Sequence, residues 1–386
     1  MNYTDIKRER RVLIDLSHIK GFFHAGIYNA AIDMVKGFIQ FSHYDIVLLI
    51  WENQVEYIDK WVGVSCDKIL LPLSQQKFLT KKFKIGFCPA FLEEQLDKHC
   101  INIVFTTCFT IESYIFPKRF HQVGVVYDMQ PFMIGLRGGR ILYAFYYLFF
   151  SLLYYHLIDN IITISNHTKN EVRKYSGRNS QVVYLSLNSI RMDSEEKPID
   201  GLEKIKYILD VNSFERYKNA EILIESYAKI KDKIPHVLYL KGYRCNEERY
   251  NELLEYIKSL GLEGRVILDI SNRTEAEMLY LFRHASLFVS PSLREGFGFT
   301  PIEAAICKIP IIVSDIETHA EVTEGKVPRF NPHSVEEISQ TMLTVLSNPP
   351  SYEDLTSISQ RYIEKYSLEN QIKSYDLLLD SLLIDE

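Results

Sequence analysis

No C-x-x-C pair joins any of the six cysteines (Cys66, Cys88, Cys100, Cys108, Cys245, Cys307), which lie scattered along 386 residues. That usage fits a reducing compartment. The start of the chain, MNYTDIKRERRVLID, lacks the apolar stretch of a signal peptide, so a cytoplasmic protein is expected. A long basic run is also missing, and the net charge is −6, which argues against a partner held by many phosphate contacts, nucleic acid foremost. Neither Asp-x-Asp nor a Walker-type loop occurs, and no cluster of residues has metal-ligand spacing. No metal and no cofactor are expected. GLRGGR is too short a fragment to count as a dinucleotide motif, and no short internal repeat is visible.

What is present is a globular composition, 47% hydrophobic and 24% charged, over a length that suits two domains with full cores. Short apolar, β-branched runs alternate with helical patterns: RVLIDL, DIVLLIW, KILLPL, INIVFT, QVGVVYD, IITIS and QVVYL, then KYILDV, HVLYLKG, RVILDI, LFVSPS and IPIIVSD. That rhythm predicts parallel sheets covered by helices on both faces, an α/β architecture of two doubly wound, Rossmann-like domains facing across a cleft. The polar stretch Asn188 to Lys204 reads as a linker. The expected division is 1–190, a linker at 191–204, a second domain at 205–365, and a last amphipathic helix at 366–386 packing back toward the first domain.

The stretch SLREGFGFTPIEAAICKIPIIVSD places Glu295 and Glu303 on either side of a Gly-Phe-Gly-Phe-Thr-Pro turn. Thr300-Pro301-Ile302-Glu303 reads as a capping box worth about 1 kcal/mol, which by itself accounts for Glu303. It does not account for Gly296 and Gly298, which let the backbone come close to a ligand in front of a helix N-terminus that favours an anion. In doubly wound sheets ligands lie beyond the carboxyl ends of the strands, where this turn follows LFVSPS. A second helix N-terminus follows the loop in VNSFERYKNAEILIESY, with Asn219 as its expected cap and Lys218 just ahead. Lys218 alone reads as a solvated lysine. Paired with the glycine-flanked turn it becomes a candidate for neutralising a diphosphate.

These segments resemble the retaining glycosyltransferases of family 4, whose pattern E-x7-E is carried here by Glu295 and Glu303 and whose fold is GT-B. EAEMLYLFRHASLFVSPS, the Lys218-Asn219 loop and the closing YSLENQIKSYDLLL match in order and spacing. The first half offers only an echo, in HAGIYNAAIDMVKGF and VVYDMQPF. The resemblance implies a nucleoside diphosphate sugar, GDP- or UDP-linked, as donor. Glu303 would hold the ribose, Glu295 would lie against the donor sugar, and Gly298, Phe299 and Thr300 would contact sugar and phosphate. Lys218 would hold the diphosphate. The family's arginine is missing near Asn212 and Ser213, and Arg216 is the expected substitute. Tyr127 stands where the family has histidine, with Asp128 retained; both are catalytic candidates. The implied activity is metal-independent transfer of a hexosyl unit, with retention, to a glycan or lipid-linked glycan in bacterial surface polysaccharide assembly. A nucleotide-sugar epimerase, a phosphorylase or a non-catalytic binder of the same fold are the alternatives.

Other residues carry two readings each. Gly26 either lets its loop approach the donor or starts a helix, and Asp128 either faces a cleft or caps a turn before Pro131. His18 and His24 flank the first glycine turn, either facing the cleft as acceptor ligands or standing as solvated or core histidines. His319 and Glu321 either orient a nucleotide or belong to a surface loop. The segment ILYAFYYLFFSLLYYHLI, about 27 Å as a helix, is long enough to raise a membrane span, but its tyrosines and its phenylalanines and leucines separate onto two sides. It reads as a helix of the first domain, either buried or resting with Arg137 and Arg140 against the inner face of a membrane.

Overall fold

The computed structural model describes residues 11–17, 26–63, 66–74, 86–109, 113–129, 149, 152–153, 155–187, 194–243 and 247–384. It divides into two compact units, Met1–Ser186 together with Tyr366–Glu386, and Leu187–Lys365. The strands of the first unit are β1 (Arg11–Asp15), β2 (Asp45–Trp51), β3 (Asp67–Leu71), β4 (Gly86–Phe87), β5 (Ile103–Thr106), β6 (Tyr114–Ile115), β7 (His121–Val126), β8 (Asn160–Thr163) and β9 (Gln181–Val182). Seven of them form a parallel sheet in the order β3-β2-β1-β5-β7-β8-β9, while β4 pairs with β6 alone. Leu13 of β1 lies level with Val47 of β2 and Val104 of β5, and all three are fully buried. Parallel strands covered on both faces need apolar residues at every position, which is why these strands read as unbroken runs.

Four described helices accompany this sheet: α1 (Gly26–Phe41), α2 (Val55–Val62), α3 (Ala90–Lys98) and α4 (Asn166–Ser176). The ends of α4 follow from local chemistry. Ser165 accepts from the Thr168 amide at 3.1 Å at its start, and Gly177, at φ +70°, closes it with its amide on the Arg173 carbonyl.

The second unit holds β10 (Tyr207–Asn212), β11 (Val237–Gly242), β12 (Val266–Asp269), β13 (Leu287–Ser290), β14 (Ile311–Ser314) and β15 (Arg329–Phe330), parallel in the order β12-β11-β10-β13-β14-β15. Its helices are α5 (Ala220–Ala228), α6 (Glu247–Ser259), α7 (Glu275–His284), α8 (Phe299–Ile306), α9 (Glu317–Val322), α10 (Val335–Ser347) and α11 (Tyr352–Lys365). Strand order reverses between β10 and β13, so the sheet's switch point lies beyond their carboxyl ends. Both units are doubly wound and Rossmann-like, the expected class.

The last helix, α12 (Leu368–Ile384), belongs to the first unit and lies against α1. A Cβ at Gly37 would meet Ile372 and Leu368 at 2.7 Å, and the Phe38 and Tyr375 rings stack 5.8 Å apart. The stretch read as a linker is anchored to the second unit where it is described: Lys197 donates its amide to the Ala276 carbonyl, Glu196 pairs with Arg283 and His284, and Ile199 and Leu202 are buried. The two-residue strands β4, β6 and β15 were not expected from the sequence, because two residues carry no periodicity.

Most of the aromatic segment 141–158 lies outside the described residues, as do His18, His24, Arg137 and Arg140. At its end Tyr155 and Ile158 are buried with Phe109 and Met129. Among the described residues no helix is long and apolar enough to cross a membrane.

Candidate active site

Beyond the switch point of the second sheet the chain brings Lys218 and Glu295, 77 positions apart, into one ion pair. The Lys218 Nζ donates to Glu295 Oε1 at 2.7 Å and Oε2 at 2.9 Å. The side chains are only 14% and 10% exposed, so the pair is shielded from water. Two of the three ammonium donors go to the carboxylate, which leaves the third as the one a phosphate oxygen could accept. Burial alone would raise the Glu295 carboxyl. The Lys218 ammonium and the Ser292 hydroxyl, which donates to Oε1 at 2.7 Å, outweigh burial and hold it below its usual value. Lys218 is raised: burial opposes its charge, and Glu295 overrides burial.

The loop after β10 presents Lys218 through a short 3-10 turn, Arg216–Lys218. Phe214 in this loop sits at φ +55°, a strained region for a bulky side chain, and its ring is fully buried. It is held there from several sides. Its amide donates to Asn212 Oδ1 at 2.5 Å, its carbonyl accepts from Arg249 Nε at 2.8 Å, and a Cβ at Gly242 would lie 2.1 Å from its ring. The glycine closing β11 is what makes room. The Tyr217 carbonyl accepts from the Leu293 amide at 2.8 Å, tying this loop to the one that carries Glu295.

At the glycine turn the structure corrects the expected cap. The N-cap of α8 is Gly298, at φ +84° and without a side-chain cap bond, and the helix starts at Phe299. Thr300 therefore lies inside the first turn, and Glu303, fifth in the helix, is not the far partner of a capping box. Gly298 is favoured by its left-handed backbone, and an added Cβ would crowd His319 Cδ2 at 3.3 Å. Asn219 also departs from its expected part. It stands at the N-cap position of α5 with φ +62°, but its amide donates to the carbonyls of Pro291 at 3.2 Å and Pro332 at 2.8 Å instead of capping. It braces the two loops against each other.

His319 is fully buried behind Gly298. The Ser314 hydroxyl donates to the Ser292 carbonyl at 2.5 Å, so it accepts from His319 Nδ1 at 2.9 Å, which leaves Nε2 facing Ser290 Oγ at 3.5 Å. Burial pushes the imidazole down to about 4, with the Glu295 carboxylate pulling the other way, and the ring is neutral. It is a buried member of the site, not part of a surface loop.

Glu303 is half-buried, and its charge reaches the Tyr243 hydroxyl. Tyr243 follows β11 and was not anticipated. Desolvation of its hydroxyl raises the phenol, Lys218 opposes this, and Glu295 and Glu303 add to it, while 45% of the residue stays exposed. A tyrosine just after a strand-ending glycine was the available signal. Arg216 does not join Lys218: its side chain is 74% exposed and it donates to both oxygens of Glu252 at 3.0 Å. The expected substitute for the missing arginine is thus turned to α6.

The candidates of the first unit stand by themselves. Gly26 is the first residue of α1. Asp128 is half-buried past the end of β7, and with Asp15 it adds to the burial that pushes the Cys108 thiol up to about 12. Tyr127 is 8% exposed, and its buried hydroxyl, in the field of Cys108 and Tyr375, has no hydrogen-bond partner among the described residues. It is a core residue here, with its hydroxyl closed off from solvent.

Residues 192–362 match the family model described as glycosyl transferases group 1. Among curated relatives, the serotype-specific mannosyltransferase WbdA of Escherichia coli is 30% identical over 243 residues, covering 58% of this chain and 29% of that protein. The chain thus spans less than a third of WbdA. The O-antigen chain mannosyltransferase RfbU of Salmonella typhimurium is 24% identical over 270 residues, 70% of each chain. The structure of Anabaena HepE in complex with UDP and glucose superposes with a TM-score of 0.67 at 14% identity, covering 96% of this chain and all of that one. Sucrose-phosphate synthase of Thermosynechococcus elongatus gives 0.69 at 14%, covering 98% of this chain. The structural likeness shows the GT-B class of fold, and the family model and relatives support a glycosyltransferase.

Proposed function

We propose that the chain is a retaining glycosyltransferase that moves a sugar from a nucleoside diphosphate sugar to a hydroxyl of a growing bacterial surface polysaccharide. The mannosyltransferase relatives favour a mannosyl donor. The observation that carries the reading is the buried Lys218–Glu295 pair beside the glycine-led N-terminus of α8 at a switch point. A departing diphosphate gains negative charge as the glycosidic bond stretches. Lys218 and the amide end of α8 are fixed partners for that charge, already oriented before the reaction. Gly298, Phe299 and Thr300 contribute that amide end. Glu295, kept ionised by Lys218, accepts from hydroxyls of the donor sugar, and Glu303 accepts from the ribose. Asn219 supports the Lys218 loop, and in the first unit Asp128 is the candidate for a catalytic part and Gly26 for a donor-binding one. No carboxylate here is assigned as a covalent nucleophile; the attacking hydroxyl approaches the face from which the diphosphate leaves. No metal is required.

The test is a thermal-shift panel of GDP- and UDP-sugars, followed by incubation of the stabilising donor with glycan acceptors and detection of the product. A stabilised protein and a new α-linked glycoside are expected. An epimer or a sugar phosphate as product would point to one of the other enzyme classes of this fold, and binding without turnover on any acceptor would reduce the chain to a binder.

A further inference from the structure

Near the position where the resemblance calls for an arginine, this chain has Asn212 and Ser213, and both ends of the Asn212 side chain are bonded within the chain itself. Asn212 is 4% exposed and donates its Nδ2 to Asp210 Oδ2 at 2.5 Å, while its Oδ1 accepts the Phe214 amide at 2.5 Å. Asp210 is itself 2% exposed inside the apolar strand β10. A buried carboxyl group in a strand is costly unless it is bonded or neutral, and this one has a specific partner. The chain of contacts runs from Asp210 through Asn212 to the strained Phe214, and the turn that ends at Lys218 follows directly.

We propose that Asp210, acting through Asn212, is a positioning residue that fixes the loop presenting Lys218 to the phosphates of the donor. The inference rests on the donor-site reading above. It replaces a missing cation by a more rigid one: the loop that lacks the arginine is pinned so that Lys218 alone is held in place. Strain at Phe214 persists only while its surroundings determine it, and Asn212 is the contact nearest the strand.

Two charged groups face Asp210 from neighbouring elements, Lys218 from the loop before α5 and Glu295 from the turn before α8. Tyr243 and His319 face that pair in turn. Burial pushes Asp210 up to about 8; Lys218 pulls it down and Glu295 pushes it further up. Asp210 is thus a neutral acid at pH 7, and Lys218 is answered by one carboxylate. Ionisation of Asp210 at higher pH would add a second negative charge near Lys218.

The experiment compares wild type with Asp210→Ala, Asp210→Asn, Asn212→Ala and the double alanine variant. Affinity for GDP and UDP is measured by calorimetry at pH 7 and pH 9, and hydrogen exchange is followed in the 212–219 loop. At pH 7 both single alanine variants should bind the preferred nucleotide at least about tenfold more weakly and exchange faster in the loop. The double variant should lose no more than either, because the two residues act in one chain. Asp210→Asn, which copies the neutral acid, should bind like wild type at pH 7 and keep its affinity at pH 9, where wild type weakens. Wild-type affinity in Asp210→Ala, or equal damage from Asp210→Asn and Asp210→Ala, would overturn the proposal. If wild type binds neither nucleotide, the donor-site reading fails. Loop exchange then judges the device alone: acceleration in Asn212→Ala and wild-type exchange in Asp210→Asn support it, and unchanged exchange in Asn212→Ala refutes it. Should Asp210→Ala not fold, Asn212→Ala and Asp210→Asn still decide.

Discussion

Replacing Lys218 by methionine keeps the side chain as far as Cε and removes the charged group beyond it, leaving the Glu295 carboxylate buried beside a hydrophobe. With the partners 14% and 10% exposed and 2.7 Å apart, this is the removal of one half of a buried pair, which costs about 3–5 kcal/mol at neutral pH. The pH dependence follows from the two carboxyl states. In wild type Glu295 is held below 4.5, so its contribution is present above that value and is lost as pH falls through the folded value. In Lys218→Met burial is no longer opposed by the ammonium, and the folded value rises above the unfolded one. The penalty then exists at neutral pH and disappears as pH drops through 4.5 and Glu295 is protonated in both states. The gap between the two proteins should close on acidification. Urea denaturation at pH 7, 5.5 and 4 measures it. Adding Glu295→Gln to Lys218→Met should recover most of the stability but none of the transfer. A gap under about 1 kcal/mol at pH 7, against the 3–5 expected, or a gap that widens toward acid, would refute the claim that these groups are a shielded pair.

Glu303→Ala should abolish most transfer while the melting temperature stays within about 2 °C of wild type, because the residue is not part of a cap; a lowered melting point with normal turnover would remove its assignment to the ribose. Gly298→Ala should cost about 1–2 kcal/mol from its left-handed backbone alone, read by urea denaturation, and should weaken donor binding, since His319 lies behind the added methyl. Transfer should survive EDTA in the assay buffer. Loss of activity on chelation, restored by Mg²⁺ or Mn²⁺, would show that Lys218 and α8 do not suffice for the leaving group.

The strands of both sheets were readable because parallel strands buried on two faces leave unbroken apolar runs, as in Leu13 with its neighbours Val47 and Val104. Lys218 and Glu295 were visible as members of motifs, but nothing in a linear sequence says that residues 77 positions apart share one ion pair. Thr300 was misplaced for a specific reason. Its Thr-Pro-x-Glu pattern is a fair cap on its own, and the glycine two residues earlier, able to adopt φ +84°, starts the helix first. Asn219 failed similarly, since two proline carbonyls brought close by the fold take the amide that a local reading gives to the helix. Asp210 left a signal that was passed over: an acidic residue in the middle of YILDVN.

The packing of α12 against α1 has a consequence for how this protein is made. The first unit is discontinuous: its sheet is complete by Val182, yet Phe38 and Phe105 rest on Tyr375. Emerging from the ribosome, the earlier half must wait with that apolar surface uncovered while the whole of the second unit is synthesised. The continuous unit, Leu187–Lys365, can close on itself as soon as it is released. The part of the chain translated first is therefore the part that finishes folding last, and a nascent chain stalled before residue 368 would display a hydrophobic face for chaperones to hold.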